Sequence, residues 1–199
     1  MKKSKSETAA TRKRIVEAAA QVFSSNGIHA SGVAEIMSAA GLTHGGFYRH
    51  FASKEELVAQ ACAAGMASTL DAIDASFEHG EQAFIEHFEA FLMDQNRAAC
   101  LGECPLIAMG SELARADSET RRAATRGYRA LIDTLSANGA ADEGAAMFVF
   151  SAILGAVTVS RIVDDPELSA RILAQAKARI AALLSNSNAP DNRALAVDG

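Results

Sequence analysis

Apolar residues return at steps of three and four along nearly all of this 199-residue chain, a spacing that points to an all-α fold. Ile15, Ala18, Ala19, Val22 and Phe23 share one face of a first helix, and Val33, Ile36, Met37 and Ala40 mark a short second one. A third short helix carries Phe47 and Phe51 inward. Leu57, Val58, Ala61, Met66, Leu70, Ile73 and Phe77 stripe a long fourth helix, and Phe84, Ile85, Phe88, Phe91 and Leu92 a fifth. Gly102 and Pro105 disfavour helix across 99–105. Helices over 106–116 and 118–137 follow, then an apolar stretch at 143–163. The last helix is striped by Leu168, Ile172, Leu173, Ala176, Ile180, Leu183 and Leu184. This gives about nine helices, with no strand and no internal repeat.

The boundaries are written in residues with known capping chemistry. Thr8 or Thr11 can cap the first helix, Ser31 the second and Thr43 the third, while Gly27, Gly41 and Asn138-Gly139 supply stops. Ser53-Lys54-Glu55-Glu56 reads as a capping box, with the serine hydroxyl accepting an amide and Glu56 reaching back. Asp165-Pro166 gives an N-cap followed by proline in the first helical position.

Composition narrows the class. With 49% apolar and 22% charged residues the chain can build a core, which excludes disorder throughout. The charged N-terminus lacks the apolar segment of a secretory signal. The uncharged run Gly144–Ser160 has 17 residues, short of the roughly 20 that span a bilayer, so no membrane partner is expected. Three cysteines do not make a disulfide framework, and the expected location is the reducing cytoplasm. Residues 1–60 hold 8 Lys and Arg against 5 Asp and Glu; the remainder holds 11 against 19. A basic end on an acidic body fits an anion-binding module joined to a different domain.

The most specific segment is 31–54. A helix ends at Ala40, Gly41 supplies a positive φ, Leu42 fills the angle and Thr43 starts a second helix. This is the geometry of a helix-turn-helix, whose second helix enters the major groove of DNA. Residues 11–58 resemble the DNA-binding domain of TetR (TetR/AcrR) family transcriptional regulators. The resemblance rests on Thr11-Arg12-x-Arg14-Ile15, Phe23-x-x-x-Gly27, Ile36-x-x-Ala39-Ala40-Gly41-Leu42 and Gly46-Phe47-Tyr48-x-His50-Phe51-x-x-Lys54-Glu55-x-Leu57. Met37 departs from the small residue usual there. Thr43, His44 and Gly45 open the recognition helix and can approach bases. Tyr48, His50 and Lys54 are expected on phosphates, where contacts fix register without reading sequence; Arg49 is divided between phosphate contact and a solvated face. The implied organisation is a DNA-binding domain over 1–52, a ligand-binding and dimerisation domain over 53–185 and a loose tail over 186–199.

The resemblance further implies a homodimer joined through the last two helices, bound to a palindromic double-stranded DNA operator and released by a small molecule. A helix apolar all round needs cover on all sides, which independently favours a partner subunit over 143–163. Phe150, Ile153, Val157, Ile172 and Ile180 are the expected dimer contacts. Met66, Phe84, Phe88, Phe91, Met109, Tyr128 and Phe148 are candidates for lining a pocket for an apolar or aromatic effector, although residues of these types more often serve as plain core. Cys100 and Cys104 could sense oxidants or electrophiles, as in some relatives, or could simply pack. No basic residue lies within two positions of either, and Glu103 adjoins Cys104. Their spacing makes no metal site. No nucleotide loop, zinc-protease signature or carboxylate pair marks an enzyme, and no cofactor is expected. A redox-sensing regulator of the same fold and a helical adaptor without DNA binding are the alternatives.

Overall fold

The structure is a computed structural model and describes residues 5–79, 104–138, 140 and 142–186. Among these residues it contains eight α-helices, one 3-10 helix and no strand, so the all-α expectation holds. In order they are α1 (Lys5–Asn26), α2 (Val33–Ala39), the 3-10 helix His44–Arg49, α3 (Lys54–Glu78), α4 (Pro105–Ala108), α5 (Gly110–Leu113), α6 (Ser118–Asn138), α7 (Glu143–Ile162) and α8 (Pro166–Asn186). The helix expected over 106–116 is two short ones, interrupted where Met109 leaves helical geometry at φ −129° and ψ 17°. The expected fifth helix, with Phe84, Phe88 and Phe91, lies outside the described residues.

The chain divides into two compact units. Among the described residues, the first holds 5–73 and 104–130, and the second holds 74–79 and 131–186. In the first, Ile15, Ala19 and Phe23 of α1, Ile36 and Met37 of α2, Phe47, Phe51, and Leu57 and Ala61 of α3 are all buried. Each large apolar side chain so buried contributes roughly 1.5–3 kcal/mol.

The stop signals act as the sequence implies. Gly27 and Gly41 have φ of 85° and 67°, and among the described residues no non-glycine adopts a positive φ. At the end of α2 the Leu42 amide donates to the Met37 carbonyl at 2.8 Å and the Gly41 amide to Ser38 at 2.9 Å. That crossed pair is a Schellman motif, and it needs the left-handed residue that Gly41 provides. The start signals are only partly as expected. α1 is already helical at Lys5, so Thr8 and Thr11 are interior. Gly32, not Ser31, occupies the N-cap of α2; the Ser31 hydroxyl instead donates to the Gly27 carbonyl at 2.6 Å. Thr43 sits at the N-cap of the 3-10 helix without a side-chain capping bond.

In the second unit α7 and α8 pack along one another. The Ser169 hydroxyl donates to the Ser160 carbonyl at 2.8 Å and ties the two together near their junction. Asp142 caps α7 through the Ala145 amide at 2.7 Å, and Asp165 caps α8 through the amides of Glu167 and Leu168, both at 3.0 Å. α7 is long and apolar enough by length and composition to cross a membrane, with a mean hydropathy of 1.8 over its most apolar 18 residues. The uncharged run of 17 residues understates this, because Glu143 and Arg161 stand near the helix ends. A third of the apolar window is buried within the chain.

Candidate nucleic-acid interface

The segment after the Gly41 turn is short and tightly wound. Gly45 and Gly46 have poor α-helical propensity, and here residues 44–49 form a 3-10 helix. Its three-residue repeat fixes which side chains face out. Phe47 is fully buried, stacked on Phe51 with centroids 5.6 Å apart and meeting the Tyr48 ring edge-on at 5.1 Å. Thr43, His44, Gly45 and Arg49 are exposed, and Tyr48 is 72% exposed. His50 is half-buried. The outward edge is therefore polar, cationic at Arg49, and carries a phenol whose ring is braced from beneath.

A network around α3 holds this edge in place. Ser53 accepts the Glu56 amide at 3.2 Å, the first half of the expected capping box. The second half is displaced by one residue: the Glu56 carboxylate accepts the amide of Ala52, at 2.7 Å. The same carboxylate receives the Arg12 guanidinium, whose Nε donates to Gln60 Oε1 at 3.2 Å. The Arg12 guanidinium also lies 4.1 Å from the Phe51 ring centroid. The Ala52 amide, followed by Arg12, holds the Glu56 carboxyl below the usual carboxylate range. Sequence reading placed Arg12 in the motif but gave it no role; its partners lie 44 and 48 residues away. Lys54 is half-buried, donates its ammonium to the Ile28 carbonyl and stands 5.9 Å from the Phe23 centroid. Its remaining two donors are the ones that could reach a phosphate.

Four of the seven candidate pocket residues lie within the described residues. Met66 and Met109 are buried, Tyr128 is half-buried and Phe148 is 59% exposed. Phe84, Phe88 and Phe91 lie outside the described residues. Met66 is packed against Gly127 so closely that a Cβ there would come within 2.5 Å of its Cγ. One crevice of about 280 Å³, beside Glu17, Gln21 and Ser68, and another of about 220 Å³, beside His29, Lys54 and Arg115, are lined by none of these four described candidates, Met66, Met109, Tyr128 and Phe148.

Cys104 is fully buried, and burial pushes its thiol above the ordinary range. Cys62 is buried as well and pushed up to about 11, mainly by desolvation and secondarily by Cys104. Such thiols are poor nucleophiles at neutral pH. Cys100 lies outside the described residues. Of the expected dimer contacts, Phe150, Ile153, Val157 and Ile180 are already buried within the chain and Ile172 is half-buried. Among the described residues, the large apolar side chains left exposed on α7 and α8 are Met147, Phe148, Val159, Ile162 and Leu183.

Residues 15–61 match the family described as bacterial regulatory proteins, tetR family. An uncharacterised HTH-type transcriptional regulator of Bacillus subtilis strain 168, YdgC, is 45% identical over 56 residues, which cover 28% of this chain and 29% of that protein. The HTH-type transcriptional regulator AcrR of Shigella flexneri is 37% identical over 59 residues, 30% of this chain and 27% of its own. The match therefore spans less than a third of these relatives. Across the remainder the likeness is one of fold: Escherichia coli NemR in its reduced form aligns over 88% of this chain and 97% of its own, with a TM-score of 0.73 and 19% identity. Over residues 15–61, then, this chain carries the helix-turn-helix domain of the tetR family of bacterial regulatory proteins.

Proposed function

We propose that the protein is a dimeric, DNA-binding transcriptional repressor whose operator complex is released by a small apolar or aromatic effector. The observation that carries this reading is the exposed edge Thr43, His44, Gly45, Tyr48 and Arg49, held on a 3-10 helix whose other face is buried. Thr43 and His44 meet base edges, while Tyr48, Arg49, His50 and Lys54 meet phosphates. The net positive charge of residues 1–60, on an otherwise acidic chain, favours approach to DNA.

Two observations support the dimer. A 20-residue apolar helix with only a third of its apolar window buried within the chain favours a further surface against it. Its exposed side chains Met147, Phe148, Val159 and Ile162 supply the contact, joined by Leu183 of α8. An effector relieves repression only by preferring a conformation that no longer fits the operator. The burial of Cys104 argues against thiol sensing as the trigger. The test is a gel shift with DNA from upstream of the protein's own gene, at several salt concentrations and with competitor DNA. A discrete, salt-sensitive complex that resists non-specific competitor is expected. Binding indistinguishable from that to competitor would sink the reading.

A further inference from the structure

The turn between α1 and α2 is gripped by a residue 83 positions away. Glu112, on α5, points its carboxylate into residues 27–29. Its Oε2 accepts the Ile28 amide at 2.9 Å. Its Oε1 accepts the His29 amide at 2.8 Å and lies 2.7 Å from His29 Nδ1, which must carry a hydrogen to face a carboxylate. All these residues belong to the first unit.

A second, independent feature shows that the turn is shaped for this carboxylate. Gly27 adopts φ 85°, and a Cβ at that position would lie 2.9 Å from Glu112 Oε2. Glycine is thus needed twice over, for its backbone conformation and for the room it leaves the carboxylate. The opposite side of the same peptide is also held, since the Ile28 carbonyl accepts from Lys54 at the start of α3. A crevice of about 220 Å³ opens beside the turn, with Ile28, His29, Lys54 and Glu112 in its lining. Burial works to raise the carboxyl's pKa, but the amides of His29 and Ile28 and the imidazole together bring it below the ordinary value. The carboxylate is therefore the form that makes the grip.

We infer that Glu112 is a positioning residue for DNA binding, acting through the α1–α2 turn without touching DNA. α2 begins at Val33, four residues beyond His29, and leads through the Gly41 turn into the recognition helix. Fixing the peptides at 28 and 29 from α5 fixes the path into α2. The inference rests on the DNA-binding reading above. Its chemistry is specific: both carboxylate oxygens accept, so glutamine, which offers one acceptor and one donor, sets an NH₂ against a backbone N–H.

The experiment compares the full chain with Glu112→Ala, Glu112→Gln and His29→Ala. Backbone amide exchange at 27–29, urea midpoints, and affinity for the upstream DNA across a salt series are measured for each. Loss of the grip lowers the fraction of molecules with the turn in its binding geometry; a tenfold fall in that fraction weakens apparent affinity about tenfold, with the salt slope unchanged because the bound complex is the same. Glu112→Ala and Glu112→Gln are both expected to show this, with exchange at Ile28 and His29 at least about tenfold faster. His29→Ala, which keeps both amide bonds, is expected to stay close to wild type. Wild-type affinity in a folded Glu112→Ala or Glu112→Gln protein overturns the inference, as does a shallower salt slope. If Glu112→Ala fails to fold, Glu112→Gln decides the matter alone. Failure of the wild-type protein itself to bind the DNA removes the functional reading, a result distinct from tight binding by both forms.

Discussion

Replacing Gly127 by alanine is expected to destabilise the protein although alanine is the better helix former. Gly127 lies within α6, and a Cβ there would be 2.5 Å from Met66 Cγ, 2.6 Å from its Cβ and 2.7 Å from its Cε. Carbon atoms at ordinary contact stand about 3.5–4.0 Å apart, so each approach is short by about 1 Å. Rotating the Met66 side chain can move Cγ and Cε, but Cβ is fixed to the backbone of α3. The helices must therefore separate locally, in a region where Met66 is 1% exposed. Overpacking of this kind costs about 1–3 kcal/mol. The gain from glycine to alanine in a helix interior offsets about 1 kcal/mol of it. The net expectation is a loss of about 1 kcal/mol, or about 2–4 °C in Tm for a chain this size. Thermal and urea unfolding followed by circular dichroism read it directly. Met66→Ala should lose about 2–5 kcal/mol alone. The double variant should be more stable than the sum of the two, because the added methyl group fills part of the space vacated. A Gly127→Ala protein with a raised Tm, or strictly additive losses, would refute the close approach of α3 and α6 at this point.

Three further expectations concern other parts of the molecule. Arg12→Ala removes the guanidinium from Glu56, Gln60 and the Phe51 face together, and should lower affinity for every DNA sequence, whereas Thr43→Ala should alter preference among operator variants; a competition series over single-base changes separates the two. Phe148→Glu should yield a folded monomer in sedimentation experiments, while Val157→Asp, at a position 1% exposed, should unfold the chain; a dimeric Phe148→Glu protein would remove the uncovered face of α7 from the interface. Glu56, Glu112 and Asp117 all have lowered carboxyl pKa values, Asp117 chiefly through the Thr120 hydroxyl and amide. Folding thus favours their charged forms. The stability they supply is present above the ordinary carboxylate range near pH 4 and is lost as pH falls through their folded values, so urea midpoints should drop below about pH 4. Asp117→Asn, which keeps a capping oxygen, should make that acid limb shallower.

The sequence by itself determined the local architecture of the helix-turn-helix segment. Helical spacing assigned Phe47 and Phe51 to the core, because a short helix leaves few ways to bury two aromatic rings, whereas the outward placing of Tyr48 came from the family resemblance. Gly27 and Gly41 declared the ends of α1 and α2 because positive φ strongly favours that one residue type. The caps were less legible. Ser31, Thr43 and Glu56 all carry oxygens suited to more than one nearby partner, and the structure gives Ser31 to Gly27 and Glu56 to Ala52. Apolar character told which helix wants cover but not which side the chain itself supplies. Phe150, Ile153 and Val157 turned out to face inward, and Phe148 and Ile162 outward. Above all, the Arg12–Glu56 pair and the grip of Glu112 on residues 28 and 29 were decided only by tertiary structure. A helix announces its own face because the period is carried by neighbouring residues, whereas a carboxylate that accepts amides 83 and 84 positions away leaves no periodic trace in the chain.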